Sequence, residues 1–107
     1  MTKKIFKYPL KITDEQIIKM PTGAKILTVE TQGDDNICLW AFVDPNMEDK
    51  DRKIRIIGTG HPIENWEGLQ YIGTAQQMKG QLIWHVFEVL DGFDMLLKSA
   101  GLGSRFI

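Results

Sequence analysis

One cysteine in 107 residues cannot close an internal disulfide or build a cysteine-based zinc site, and a lone Cys38 suits a reducing cytosol. Nor is there an excess of one charge. The sequence has 13 Lys+Arg against 14 Asp+Glu, a formal net charge of −1, which argues against a long nucleic-acid partner held by phosphate contacts. No apolar run approaches the roughly 18 residues of a membrane helix. Met1–Lys4 leads into a strand-like segment, not the apolar core of a signal peptide, so a cytoplasmic location with no membrane partner is expected.

Enzyme signatures are also missing. There is no Gly-x-Ser-x-Gly, and Gly58-x-Gly60 lacks both a Walker lysine and the third glycine of a dinucleotide fold. A phosphate loop also needs a helix behind it, whereas only a strand precedes these glycines. His61 and His85 have no third ligand at metal spacing. The acidic loop Asp44–Asp51 lacks the central Gly and closing Glu of a calcium loop, and reads as a solvated hairpin tip. Asp and Glu fall almost entirely in turns, which leaves no acid/base couple. A non-enzymatic protein without cofactor or metal is expected.

What is present is a globular composition, 43% hydrophobic and 25% charged, of a size that suits one domain over residues 1–107. Phe6, Tyr8, Leu10 and Ile12 alternate with Lys7 and Lys11, which predicts a half-buried edge strand. Thr13–Gln16 fits a capping box, but Pro21 stops any helix early, so Gln16–Met20 is read as extended. Lys25–Gln32 alternates, Gly33–Asn36 is a hairpin turn, and Ile37–Val43 is apolar on both faces, as in a central strand. A polar loop is expected from Asp44 through Arg52, then a strand over Lys53–Gly60. Gln70–Met78 and Gln81–Val89 make a last hairpin joined by Lys79-Gly80. These elements predict an all-β, mainly antiparallel fold: a small sandwich or barrel of five to six strands, with its core over about residues 4–89. Residues 90–107 form a short helix or tail, where Phe93, Leu96 and Leu97 have helical spacing and Leu102, Phe106 and Ile107 suit a cap or an interface.

The candidate site gathers on Arg55, Gly58, Thr59, Gly60, His61, Trp66 and Tyr71. Arg55 shares a face with Lys53 as an anion clamp, against the alternative of solvated strand charges. The glycines at 58 and 60 allow either close packing or ligand approach. His61 sits at a strand end in that Gly-rich turn, open to both readings. His85, mid-strand with Ile83 and Phe87, is expected to be buried and hydrogen-bonded. Trp40 and Trp84 are expected in the core. Trp66 lies in a loop where no pattern buries it, free to stack on a flat ligand or on another subunit, and Tyr71 begins the next strand.

Several stretches taken together resemble a family of short uncharacterised proteins in tailed-phage genomes. They are Lys4-Ile5-Phe6-Lys7-Tyr8, Met20-Pro21-x-Gly23-Ala24-x-Ile26-Leu27, Leu39-Trp40-Ala41-x-Val43-Asp44-Pro45, Gly58-Thr59-Gly60-His61-Pro62 and Trp84-His85-Val86-Phe87-Glu88. The likeness runs in order from Lys4 to Glu88; the segment beyond departs from it. The resemblance implies a phage origin and a small β domain, and it carries no catalytic residues. Small oligomeric β proteins of phages in turn resemble anti-defence sponges, which sequester nucleotide immune signals. The expected function is therefore binding and sequestration of a small nucleotide-like ligand by a homo-oligomer in the host cytoplasm. The alternative is a protein–protein interaction module that inhibits a host protein or serves as a minor structural component.

Overall fold

Seven strands, rather than five or six, make up the computed structural model, which describes residues 2–92, 95, 96, 100 and 101. In chain order they are β1 (Lys4–Pro9), β2 (Glu15–Pro21), β3 (Lys25–Gln32), β4 (Asn36–Val43), β5 (Asp49–Gly58), β6 (Leu69–Gln77) and β7 (Leu82–Val89). All five strand pairings are antiparallel, and they form a three-stranded sheet β1-β4-β3 and a four-stranded sheet β2-β5-β7-β6. Most of the expected tail, including Phe93, Leu97, Leu102, Phe106 and Ile107, lies outside the described residues.

Alternation decides which side of each strand goes inward. In β1, Phe6 and Tyr8 pack on the core while Ile5 and Lys7 face out. β4, apolar on both faces, sits between β1 and β3 and buries Ile37, Leu39, Ala41 and Val43. These meet Ile54, Ile56, Ala75 and Val86 of the other sheet, with Met20, Ala24 and Val29, in one cluster between the layers. Each large aliphatic side chain fully buried there contributes about 1.5–3 kcal/mol. The sheets approach most closely where β3 faces β6: a Cβ built on Gly73 would stand 2.9 Å from Val29 Cγ1. Register slips between Ile26 and Thr28 in β3, and between Tyr71 and Gly73 in β6, place a bulge in each of these two strands.

Gln16–Met20 is extended as expected, within β2, and the Gln16 amide donates to Lys11 O and accepts from Lys11 N, closing the bend into that strand. One expectation about the chain needs correction. The strand expected from Lys53 begins at Asp49, so Arg52 is a strand residue. Alternation turns it inward with Ile54 and Ile56, and its charge is met there by Glu88 of β7.

The β3–β4 turn is as expected, with Gly33 and Asp35 in left-handed conformations. Asp35 also ties this turn to the far end of the other sheet: its carboxylate accepts from Met78 N at 3.0 Å and its carbonyl from Gln77 at 2.8 Å.

Candidate functional site

β5 and β6 both run antiparallel to β7, which lies between them, so they are parallel to each other. Gly58 pairs with Trp84 at the start of β7, whereas Leu69 pairs with Val89 at its end. Residues 59–68 must therefore carry the chain back along about five strand residues, roughly 17 Å. This crossover holds four of the seven candidate residues: Thr59, Gly60, His61 and Trp66.

At its start, Gly60 takes a positive φ of 86° with open space around it, and His61 N donates to Gly58 O, closing the turn. The His61 ring lies against Gly58, where an added Cβ would stand 3.2 Å from Nδ1 and Cε1 and 3.4 Å from Trp84. Gly58 thus serves packing, and Gly60 serves the turn. At its end, Trp66–Gly68 is a single 3-10 turn with Trp66 65% exposed.

Arg55 stands between these two ends. Its Nε and Nη2 donate to Glu15 Oε2 at 2.9 and 2.7 Å, and Nη1 donates to Glu64 O at 2.9 Å. The guanidinium thereby fastens the crossover to β5 and to the neighbouring β2. Two open hollows meet at it. One, of about 440 Å³, is lined by Arg55 with Asp14, Glu15, Ile57, His61, Pro62, Glu64 and Asn65. The other, of about 620 Å³, is lined by Arg55 with Asn65, Trp66, Glu67, Val89 and Met95. Lys53 is exposed two residues earlier and lines neither hollow, so the expected clamp reduces to Arg55 alone.

Tyr71 lies apart from these hollows. It belongs to a cross-strand row, Glu15–Arg55–Phe87–Tyr71, that spans the outward side of the four-stranded sheet. Its ring packs edge-on to Phe87 at 5.5 Å. Beside that row runs a chain of hydrogen bonds that the sequence did not disclose. Tyr71 Oη and Thr74 Oγ1 are 2.5 Å apart, Thr74 Oγ1 and His85 Nδ1 3.0 Å, and His85 Nε2 and Thr59 Oγ1 2.6 Å. His85 is hydrogen-bonded as expected, but half-buried on the outward face rather than enclosed. The pairing of Thr74 with His85 across β6 and β7 was the available signal, hidden by the bulge at residue 72.

The tryptophans divide. Trp84 packs on the core and its indole N–H donates to Gln77 at 2.9 Å. Trp40 faces outward from the three-stranded sheet, under Lys7.

Among the described residues there is no group of three or more His, Cys, Asp or Glu able to hold a metal ion. No helix among them is long and apolar enough to cross a membrane.

The family model for a domain of unknown function, DUF7352, matches residues 1–93, from the first residue to just past β7. No curated protein and no solved structure matches the chain. By that match over most of its length, the chain belongs to the family of the DUF7352 domain.

Proposed function

We propose that the two hollows meeting at Arg55 bind a small nucleotide-like ligand, which the protein sequesters without turning it over. The observation that carries this reading is the position of Arg55 itself, which lines both hollows with His61 in one and the exposed Trp66 in the other. An arginine fork for a phosphate, an aromatic face for a base and a volume of a few hundred Å³ are what such a ligand needs. Glu15 holds the guanidinium in place. The pair is part-buried, with Glu15 40% and Arg55 19% exposed, so an incoming phosphate has to replace both hydrogen bonds that Arg55 gives to Glu15.

The lining also limits the ligand. Asp14, Glu15 and Glu64 surround one arginine, which disfavours a polyanion and favours a single phosphate or cyclic phosphodiester carrying amino groups for the carboxylates to accept from. Both hollows are open to solvent, and a homo-oligomer that apposes them would enclose the ligand. The resemblance to tailed-phage proteins supports host-cell cytoplasm as the setting and an immune signal as the ligand.

The test is mass spectrometry of small molecules released on heating the purified protein, with thermal shifts against cyclic mono- and dinucleotides. A bound nucleotide, lost in Arg55→Met and Trp66→Ala and held more tightly in Glu15→Gln, supports the proposal. No released ligand and no shift with any nucleotide overturns it.

A further inference from the structure

The outward side of the three-stranded sheet has a composition unlike the rest of the surface. Two adjacent cross-strand rows place Ile5, Phe42 and Lys25 side by side, then Lys7, Trp40 and Thr28. Phe42 is 42% exposed and Ile5 61%. An ammonium lies over each ring: Lys3 Nζ stands 5.9 Å from the Phe42 centroid and Lys7 Nζ 5.8 Å from that of Trp40. Lys7 also donates to Gln32 at 2.8 Å. The one acid on this face is Glu30, a row further on, opposite Cys38. A net charge of −1 for the chain thus conceals a lysine-rich aromatic platform on one sheet.

We propose that this face binds single-stranded nucleic acid, with successive bases on Phe42 and Trp40 and the connecting phosphates on Lys3, Lys7 and Lys25. Two rings on alternate residues of one strand lie about 7 Å apart on the same side, which suits neighbouring bases of an extended strand. Base stacking on aromatic side chains flanked by basic residues is the general chemistry of sequence-tolerant single-strand binding. The ammonium groups that rest on the rings in the free protein move aside to the phosphates when bases take their place. A second copy of this chain is disfavoured because it would bring two faces of net positive charge together, each with Glu30 as its one acid. An acidic peptide would satisfy the lysines but leaves the ring faces unused. The inference is independent of the Arg55 hollows, which belong to the other sheet.

The experiment is fluorescence anisotropy of a labelled oligothymidylate of about ten nucleotides, within the usual site size, on the full chain. Expected is a dissociation constant of about 10⁻⁴–10⁻⁶ M with a log–log salt slope of about −2, from three phosphates at about 0.7 each. Phe42→Ala, at an exposed position, weakens binding roughly 5- to 150-fold. Lys7→Gln and Lys25→Gln each flatten the slope by about 0.7, and Lys19→Gln, on β2 of the other sheet and outside both hollows, leaves binding unchanged. Four results overturn the proposal. Three are no binding at low salt, equal binding of a duplex of the same length, and a loss on Lys19→Gln that Phe42→Ala does not share. A dimer dissolved by Phe42→Ala, with no oligonucleotide bound, overturns it in favour of self-association.

Discussion

Arg52 of β5 and Glu88 of β7 form a two-point ion pair in the interior, with Nη2 donating to Oε1 at 2.9 Å and Nε to Oε2. Both side chains are 1% exposed, and the remaining Nη1 donates to the carbonyl of Ala24 at 2.9 Å. One guanidinium therefore joins two strands of the four-stranded sheet to the turn between β2 and β3. Desolvating two charges is costly, and fork geometry with a third acceptor is what offsets it.

Removing one partner takes the counter-charge away from the other in the interior. Glu88→Gln or Arg52→Met should each cost about 3–5 kcal/mol, and the double replacement Arg52→Met/Glu88→Leu should recover most of that loss. Equilibrium urea unfolding of the three variants measures the coupling. Additive losses in the double variant would show that the two residues act separately.

This pair also marks the limit of what the sequence discloses. β1 and β4 were legible, the first because Phe6 and Tyr8 alternate with Lys7, the second because Ile37–Val43 offers no polar face. The polar run from Asp44 places Arg52 in a loop on sequence grounds, and charged side chains are seldom fully buried. Its parity with Ile54 and Ile56 pointed inward nonetheless, had β5 been extended back to Asp49. Trp40, expected in the core, faces outward for the converse reason: when both faces of a strand are apolar, alternation does not say which meets the core. At the site, the exposed Trp66 was legible, but Glu15, the partner of Arg55 40 residues earlier, was not. Only the pairing of β2 with β5 brings them together.

Gly73 offers a test of sheet-to-sheet contact. Gly73→Ala drives a methyl to within 2.9 Å of Val29 Cγ1, on a buried and branched side chain that cannot turn away. A loss of about 1–3 kcal/mol is expected from such overpacking. Val29→Ala in the same chain should return part of it. Gly58→Ala should be milder, since the His61 ring 3.2 Å away is exposed and free to shift. Thermal unfolding of the three variants ranks them, and equal losses at Gly58 and Gly73 would contradict the account.

Burial, and after it the Asp49 carboxylate, raises the Tyr8 phenol above its ordinary value of 10.0, while Arg52 pulls the other way. The folded state thus holds this proton more tightly than the unfolded chain does. Stability from this group is complete below the ordinary value and is lost as pH rises through the raised one. In a Tyr71→Phe background, the phenolate absorbance should titrate above the ordinary range, and Asp49→Asn should bring the midpoint down. Tyr8→Phe should flatten the alkaline fall in stability. An unmoved midpoint in Asp49→Asn would remove the carboxylate from the explanation.

The chain Thr59–His85–Thr74–Tyr71 makes a different prediction, because it lies at the surface. Both ring nitrogens of His85 meet hydroxyl groups, which can donate or accept, and Thr74 is shared between His85 and Tyr71. Thr74→Val removes both contacts, but water can reach the half-buried His85 and the exposed Tyr71 left behind. The loss should therefore stay near 1 kcal/mol, or a fall of about 4–8 °C in Tm. Thr74→Ser keeps the hydroxyl and should unfold close to the parent. Nitrogen chemical shifts of the His85 ring give the second readout: Thr74→Val should alter the tautomer balance, since Nδ1 loses its partner while Nε2 keeps Thr59. Equal unfolding of the Val and Ser variants, with an unchanged ring spectrum, would mean that the hydrogen bonds contribute nothing and that only the shape of Thr74 counts.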